Sequence, residues 1–253
     1  MARILSAIAV CFLLALPMAG QGTLAHIAVG GGWQTTLTLM NLSVTAASAQ
    51  INLYSDTGAP LVVSASGQTG TNSQFTVSIP PKGSASLVFN TSSSTSSGGW
   101  INVTSLNGAL LRGQGTFGYA AFNWLGVVPL TPSGSNVSCI IPLPPAQTNT
   151  ITLPFDETSG TVFGLALANI SSTSQSISIE FDDQNNVVLA TDTLTMASLN
   201  HQSFTLDQKY PAVKNQQGVL RITAAYQSVS AVAFTDPNGS LNGNFSTVLP
   251  TIQ

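Results

Sequence analysis

Short segments in which apolar and polar residues alternate with a period of two recur through most of this chain. Because successive side chains of a β-strand point to opposite faces, such alternation predicts strands with one buried and one solvated face. Clusters of Gly, Pro, Asn, Asp and Ser separate the segments and predict turns. The clearest segments are QTTLTLMN (34–41), AQINLY (49–54), SQFTVSI (73–79), SASLVF (84–89) and WINVTS (100–105). We therefore expect an all-β fold of antiparallel sandwiches.

One stretch departs from this pattern. The residues LDQKYPAVKNQQG (206–218) lack the alternation and predict a short helical turn.

The second half of the chain repeats the first. When Asn41 is set against Asn169, residues 33–61 align with residues 161–189 without a gap, and Leu37 meets Leu165. Each unit is close to the roughly 100 residues with which one immunoglobulin-like sandwich closes a core. The sequence thus predicts two tandem antiparallel Ig-like β-sandwiches. We place them at 23–130 and 150–253, joined by a Pro-rich connector at 131–149.

The first residues predict a secretory signal peptide, which we place at 1–22. Arg3 supplies the positive charge, residues 4–16 form an apolar stretch too short to span a bilayer, and small residues follow at 19, 20 and 22. We expect a secreted or cell-surface protein with no membrane span after cleavage of the signal peptide. Cys139 would then be the sole cysteine, which excludes an internal disulfide. A buried thiol and an intermolecular disulfide both remain open for it.

The composition excludes some partners. Charged residues make up 6% of the chain, the formal net charge is −3, and six basic residues are thinly spread. Nucleic acids and anionic membrane surfaces are recognised by clustered Lys and Arg, so neither is expected as a partner.

The stretch AHIAVGGGWQTTLTLMNLS (25–43) raises the question of a phosphate-binding loop. Such a loop opens a helix, whereas here a strand follows the glycines. Of Gly30, Gly31 and Gly32, only the last has a glycine, Gly160, at the aligned position of the second unit. We interpret the stretch as a turn between strands.

Signatures of catalysis are weak. The G-x-S-x-G motif is absent, and the two histidines are His26 and His201. They fall in non-equivalent strands of different units, so we expect them not to meet and their rings to lie at the surface or partly packed. Two histidines and one mature cysteine are too few for the usual zinc site. We expect a protein that is not an enzyme; a hydrolase using two converging carboxylates is the alternative.

One candidate ligand site lies in the first unit. In a simple up-and-down strand order, the turns carrying Trp33, Asp56 and Trp100 gather at one end of the sandwich. Exposed tryptophans there suit stacking on sugar rings, which would make the chain a carbohydrate-binding module. The alternative is that Trp33 and Trp100 close the end of the core, where large aromatic residues are commonly found.

One candidate metal site lies in the second unit. The same end gathers Asp156 and Glu157 from one turn and Asp182 and Asp183 from another. Four carboxylates could bind Ca²⁺ through oxygen ligands, whereas the alternative is ordinary turn chemistry. We expect no other cofactor.

The chain also resembles a known group of proteins. The pattern His-x-Ala-x-Gly-Gly-Gly-Trp-x-Thr-Thr-Leu-x-Leu-x-Asn from His26, with a second unit opening LPFDETSG, is similar to uncharacterised secreted bacterial proteins built from tandem Ig-like β-sandwich repeats. The resemblance extends from His26 to Pro250. It implies export and a sandwich fold, and it implies no activity and no catalytic residues.

These observations favour an exported, non-enzymatic protein with a structural or adhesive role at the cell surface. Its partners would be a cell-surface or matrix protein or a polysaccharide. Few lysines guard the strand edges, so homo-oligomers formed through edge strands are a further expectation.

Overall fold

The computed structural model describes residues 21–119, 124–129, 131–132, 148–225, 228–237, 239, 246–248 and 251–252. Nearly all of these residues lie in antiparallel strands, which confirms the prediction of an all-β sandwich fold. The signal-peptide prediction (1–22) lies outside the described residues except for its last two, which open the first strand. Cys139 and most of the connector (131–149) also lie outside them.

In the part of the chain that the structure describes, the first sandwich contains eleven strands in two sheets. They are β1 (Gln21–Val29), β2 (Trp33–Asn41), β3 (Ala47–Ser55), β4 (Val63–Ala65), β5 (Thr71–Asn72), β6 (Gln74–Ile79), β7 (Ser84–Asn90), β8 (Ser97–Ser105), β9 (Leu111–Tyr119), β10 (Trp124–Pro129) and β11 (Thr131–Pro132). One sheet has the order β11-β1-β8-β3-β6 and the other has the order β10-β9-β2-β7-β4-β5. Each of the five alternating segments named above lies within or overlaps one strand, because one strand face is buried.

The second sandwich also has two sheets. Its strands are β12 (Thr148–Asp156), β13 (Val162–Asn169), β14 (Gln175–Asp183), β15 (Val188–Met196), β16 (His201–Thr205), β17 (Gln217–Ala225), β18 (Val229–Asp236), β19 (Ser246–Val248) and β20 (Thr251–Ile252). The sheet orders are β15-β14-β17-β12-β20 and β16-β13-β18-β19. The segment predicted to be helical (206–218) contains the helix α1 (Leu206–Lys209) and a 3-10 turn (Pro211–Val213), and then enters β17.

The two sandwiches share one strand order. Read from β20, the order β20-β12-β17-β14-β15 matches β11-β1-β8-β3-β6 strand for strand, and β19-β18-β13-β16 matches β10-β9-β2-β7. The aligned residues Asn41 and Asn169 also make the same contacts. Each is buried, and its side-chain amide donates hydrogen bonds to the carbonyl four residues later, to the carbonyl of the last residue of another strand and to that of the residue after it.

The core of the first sandwich continues into the second. Alternate residues of β2 and β3, such as Leu37 and Ile51, are fully buried between the two sheets. Three side chains of the second sandwich, Ala166, Val232 and Phe234, belong to the same apolar cluster. The two sandwiches are therefore packed together, and their junction is lined by β1, β8, β13, β16 and β18.

Candidate functional site

Two turns meet at the junction of the sandwiches. The turn that follows β3 contains Asp56 and Gly58, and the loop before β16 contains Ser198 and Leu199. The backbone N–H of His201 donates to the carbonyl of Asp56 at 3.1 Å. A Cβ added to Gly58 would lie 2.5 Å from the Ser198 carbonyl oxygen, so the two backbones touch at this point.

Three polar side chains form a hydrogen-bonded series across this junction. His201 Nδ1 lies 2.7 Å from Asp56 Oδ1, and His201 Nε2 lies 3.2 Å from His26 Nδ1. The His201 side chain is fully buried, His26 is half-buried, and the Asp56 carboxylate is exposed. The side chains thus form a hydrogen-bonded series from solvent to the interior of the junction.

The expectation that the two histidines do not meet is therefore wrong. The two strands β1 and β16 are not equivalent within their own sandwiches, as the sequence indicated. They become neighbours because the sandwiches pack side by side, and strand patterning does not encode that arrangement. No motif around either histidine could have revealed the contact.

The ionised carboxylate of Asp56 determines which groups donate and which accept in this hydrogen-bonded series. The hydrogen bond from His201 holds the pKa of Asp56 below its usual value, and an ionised carboxylate accepts hydrogen bonds but donates none. His201 Nδ1 therefore carries the proton. When both imidazoles are neutral, His201 Nε2 accepts from His26 Nδ1–H, and the lone pair of His26 then lies on Nε2.

The pKa of His26 favours the neutral ring. Burial is the main cause that lowers the pKa of His26 from 6.5 to about 3; a positive charge on His201 lowers it further, and the Asp56 carboxylate opposes both. Among the described residues, none is hydrogen-bonded to its Nε2. In the tautomer with a neutral His201, His26 thus keeps an acceptor nitrogen that no described residue engages.

His26 lines a cavity of about 390 Å³ between the two sandwiches. Four further aromatic rings contribute to its wall: Trp33, Phe117, Phe204 and Phe234. The ring centroids of His26 and Phe117 are 5.1 Å apart, and those of Phe117 and Phe234 are 5.3 Å apart, both in edge-to-face geometry. The cavity wall is therefore mainly apolar.

The residues predicted to bind a ligand have different environments. Trp33 is half-buried and lines the cavity. Trp100 is 1% exposed, its ring stacks on Tyr54 at 4.6 Å, and its Nε1–H donates to the Leu199 carbonyl at 2.8 Å. Trp100 therefore matches the alternative in which it closes the end of the core, whereas sugar binding would require both rings to be exposed. The turns of Trp100 and Asp56 do meet, since a Cβ at Gly98 would lie 2.8 Å from Asp56 Oδ1, but the second sandwich covers this end.

The four carboxylates predicted to bind calcium do not form a site. Asp156 accepts from Thr158, Glu157 is buried and accepts from the N–H of Phe163, and Asp183 accepts from the N–H groups of its own turn. Asp182 is buried and forms an ion pair with Arg221 on the adjacent strand β17. Among the described residues, no three His, Cys, Asp or Glu side chains are arranged to hold a metal ion, so the calcium hypothesis gains no support from this geometry.

Comparisons with known proteins gave no relative. No family model, curated protein or solved structure matches the chain. Among the residues that the structure describes, no helix has the length and apolar character needed to cross a membrane.

Proposed function

We propose that the chain is an exported β-sandwich protein with a structural or adhesive role at the cell surface, and that it associates through strand pairing at a sheet edge. The observation that carries this proposal is the outer edge of β15. This nine-residue strand lies at the end of its sheet and pairs with β14, and no other described strand pairs with it. A long edge strand offers N–H and C=O groups to a strand of another chain.

Edge strands are commonly protected by lysine, proline or short length, and β15 lacks all three. Its single charged residue is Asp192, whose carboxylate accepts hydrogen bonds from Thr193 N–H and the Tyr210 hydroxyl at 2.7 and 2.9 Å. Thr191, Thr193 and Thr195 are exposed. These features favour pairing with a second copy of this chain or with another protein that presents a strand.

The proposed role is not enzymatic. The series Asp56, His201 and His26 contains an acceptor that could serve as a base. Among the described residues, however, no hydroxyl or thiol is hydrogen-bonded to His26, so the series lacks an adjacent nucleophile. The buried ring of Trp100 removes support from the carbohydrate-binding alternative, which needs two accessible rings.

Export rests on the signal-peptide pattern and on the resemblance to secreted bacterial proteins with tandem Ig-like repeats. The internal repeat is supported by the common strand order and by the matching contacts of Asn41 and Asn169.

The test is sedimentation velocity of the exported chain over a range of concentrations. Thr193 N–H is bonded to the Asp192 carboxylate, so Thr193→Pro obstructs the strand edge at a position whose N–H has another partner. Thr193→Ala is the matched control because it keeps the N–H. We expect concentration-dependent oligomers for wild type and Thr193→Ala and a monomer for Thr193→Pro. A monomeric wild type, or a Thr193→Pro variant that associates like wild type, contradicts the proposal.

A further inference from the structure

We propose that the cavity between the sandwiches is a binding site for a small, uncharged aromatic molecule carrying one hydroxyl or N–H group, which donates a hydrogen bond to His26 Nε2. The cavity volume of about 390 Å³ falls in the range of roughly 300–1,000 Å³ typical of small-molecule sites. This site is independent of the strand edge that carries the proposed function.

The wall determines the class of ligand. Trp33, Phe117, Phe204 and Phe234 present rings to the cavity, and offset or edge-to-face contacts with these rings favour an aromatic ligand. Rings are also rigid, so little conformational freedom is lost when such a ligand binds.

The charge of the ligand follows from the lining. Of the described residues that line the cavity, none is Asp, Glu, Lys or Arg. Lys209 contacts one wall ring: its Nζ lies 4.2 Å from the centroid of Phe204, and it donates to the side chain of Gln202. A charged ligand would lose its hydration without gaining a partner, which is costly, so neutral molecules are favoured.

The polar contact follows from the hydrogen-bond series. His26 Nδ1 is engaged by His201, and His201 is held by Asp56. This arrangement holds the ring of His26, which lines the mainly apolar cavity, and with a neutral His201 it leaves Nε2 as an acceptor. A donor on the ligand satisfies that nitrogen, whereas a ligand without a donor leaves it unpaired.

The test uses two probes of nearly the same size, 2-naphthol and 2-methoxynaphthalene, titrated into the intact protein by calorimetry. 2-Naphthol has a hydroxyl donor and 2-methoxynaphthalene has none. One hydrogen bond to a buried acceptor corresponds to about a tenfold difference in affinity, so we expect 2-naphthol to bind about tenfold more tightly. A charged third probe, 2-naphthoate, is expected to bind more weakly than either.

The variant His26→Phe keeps a ring at the position and removes the acceptor. We expect it to bind both neutral probes equally, and Thr193→Pro to bind them as wild type does. If His26→Phe does not fold, the ¹⁵N shift of His26 Nε2 in the wild-type protein supplies the readout and should move when 2-naphthol is added. Absence of saturable binding, equal affinity for the two neutral probes in wild type, or an unmoved Nε2 signal overturns the proposal.

Discussion

His26 Nδ1 lies 3.2 Å from His201 Nε2, although the two residues are 175 positions apart and belong to different sandwiches. This contact, together with the bond from His201 to Asp56, ties the end of the first sandwich to β16 of the second. The junction thus places a buried polar series beside an aromatic cavity. Both this junction and the buried polar groups within each sandwich should respond measurably to substitution and to pH.

The junction can be tested through Gly58. Its φ of +78° is unfavourable for other residues, and a Cβ would lie 2.5 Å from the Ser198 carbonyl oxygen. Gly67 has a similar φ of +72°, but a Cβ added there would meet nothing within 4 Å, which makes it the matched control. We expect Gly67→Ala to lower the free energy of unfolding by about 1 kcal/mol, and Gly58→Ala to lower it by at least about 1 kcal/mol more. Equal losses in urea titrations would show that the turns do not touch.

Acid should destabilise the fold through His26. Its folded-state pKa is lowered to about 3, so between that value and 6.5 the unfolded chain binds more protons, and stability falls as the pH falls. The lowered pKa of Asp56 acts in the same direction, since its contribution is lost as the pH drops below its usual value of 3.8. We expect a loss of about 1–2 kcal/mol between about pH 7 and pH 5. The measurement is the free energy of unfolding against pH, and His26→Phe should show a shallower slope. Parallel curves would contradict this.

Glu157 should change the pH dependence of stability in the opposite direction from His26. Burial, opposed by the hydrogen bond from Phe163 N–H, raises the pKa of Glu157 from 4.5 to about 7. The folded state then binds the proton more tightly than the unfolded chain does. The contribution of Glu157 to the free energy of unfolding is therefore full at low pH and is lost as the pH rises through about 7. Glu157→Gln keeps an oxygen acceptor for Phe163 and carries no charge. We expect it to be more stable than wild type by on the order of 2 kcal/mol at about pH 8. The gain should shrink towards about pH 5. A difference that does not vary with pH would contradict the assignment.

Asn41 and Asn169 should each be essential to one sandwich. Each donates to three carbonyls and accepts from the backbone N–H two residues later, at 2.9 Å in both cases. Replacement by Ala leaves these buried groups without a partner, and we expect a loss of about 2–4 kcal/mol at either site. Asn52→Ala, at a half-buried position of β3, is the control and should cost less than about 1 kcal/mol. Thermal unfolding of the three variants checks this, and similar melting temperatures would contradict it.

The strands were predictable because each depends on its own pattern. The segment 34–41 was predicted from alternation alone, and β2 spans Trp33–Asn41. The segment 206–218 contains the short helical turn that its sequence predicts, but the pattern does not show that β17 already begins at Gln217, because pairing with β12 and β14 determines that boundary.

The candidate site was less predictable because it depends on how two sandwiches pack. The strand order brought the turns of Asp56 and Trp100 together, but nothing in the local pattern indicated that Leu199 and His201 would cover them. Counting carboxylates likewise missed that Asp182 is paired with Arg221, which the strand register places opposite Glu180, two residues from Asp182.

The most direct test of the junction is a ¹H–¹⁵N NMR spectrum of the two imidazole rings as the pH is lowered. We predict that His26 has a protonated Nδ1 and an unprotonated Nε2, and that its ring stays neutral from about pH 8 to about pH 5 because its pKa is lowered to about 3. A His26 ring that titrates near its ordinary value of 6.5 would place it in water. That result would contradict both the hydrogen-bonded series and the cavity site built on it.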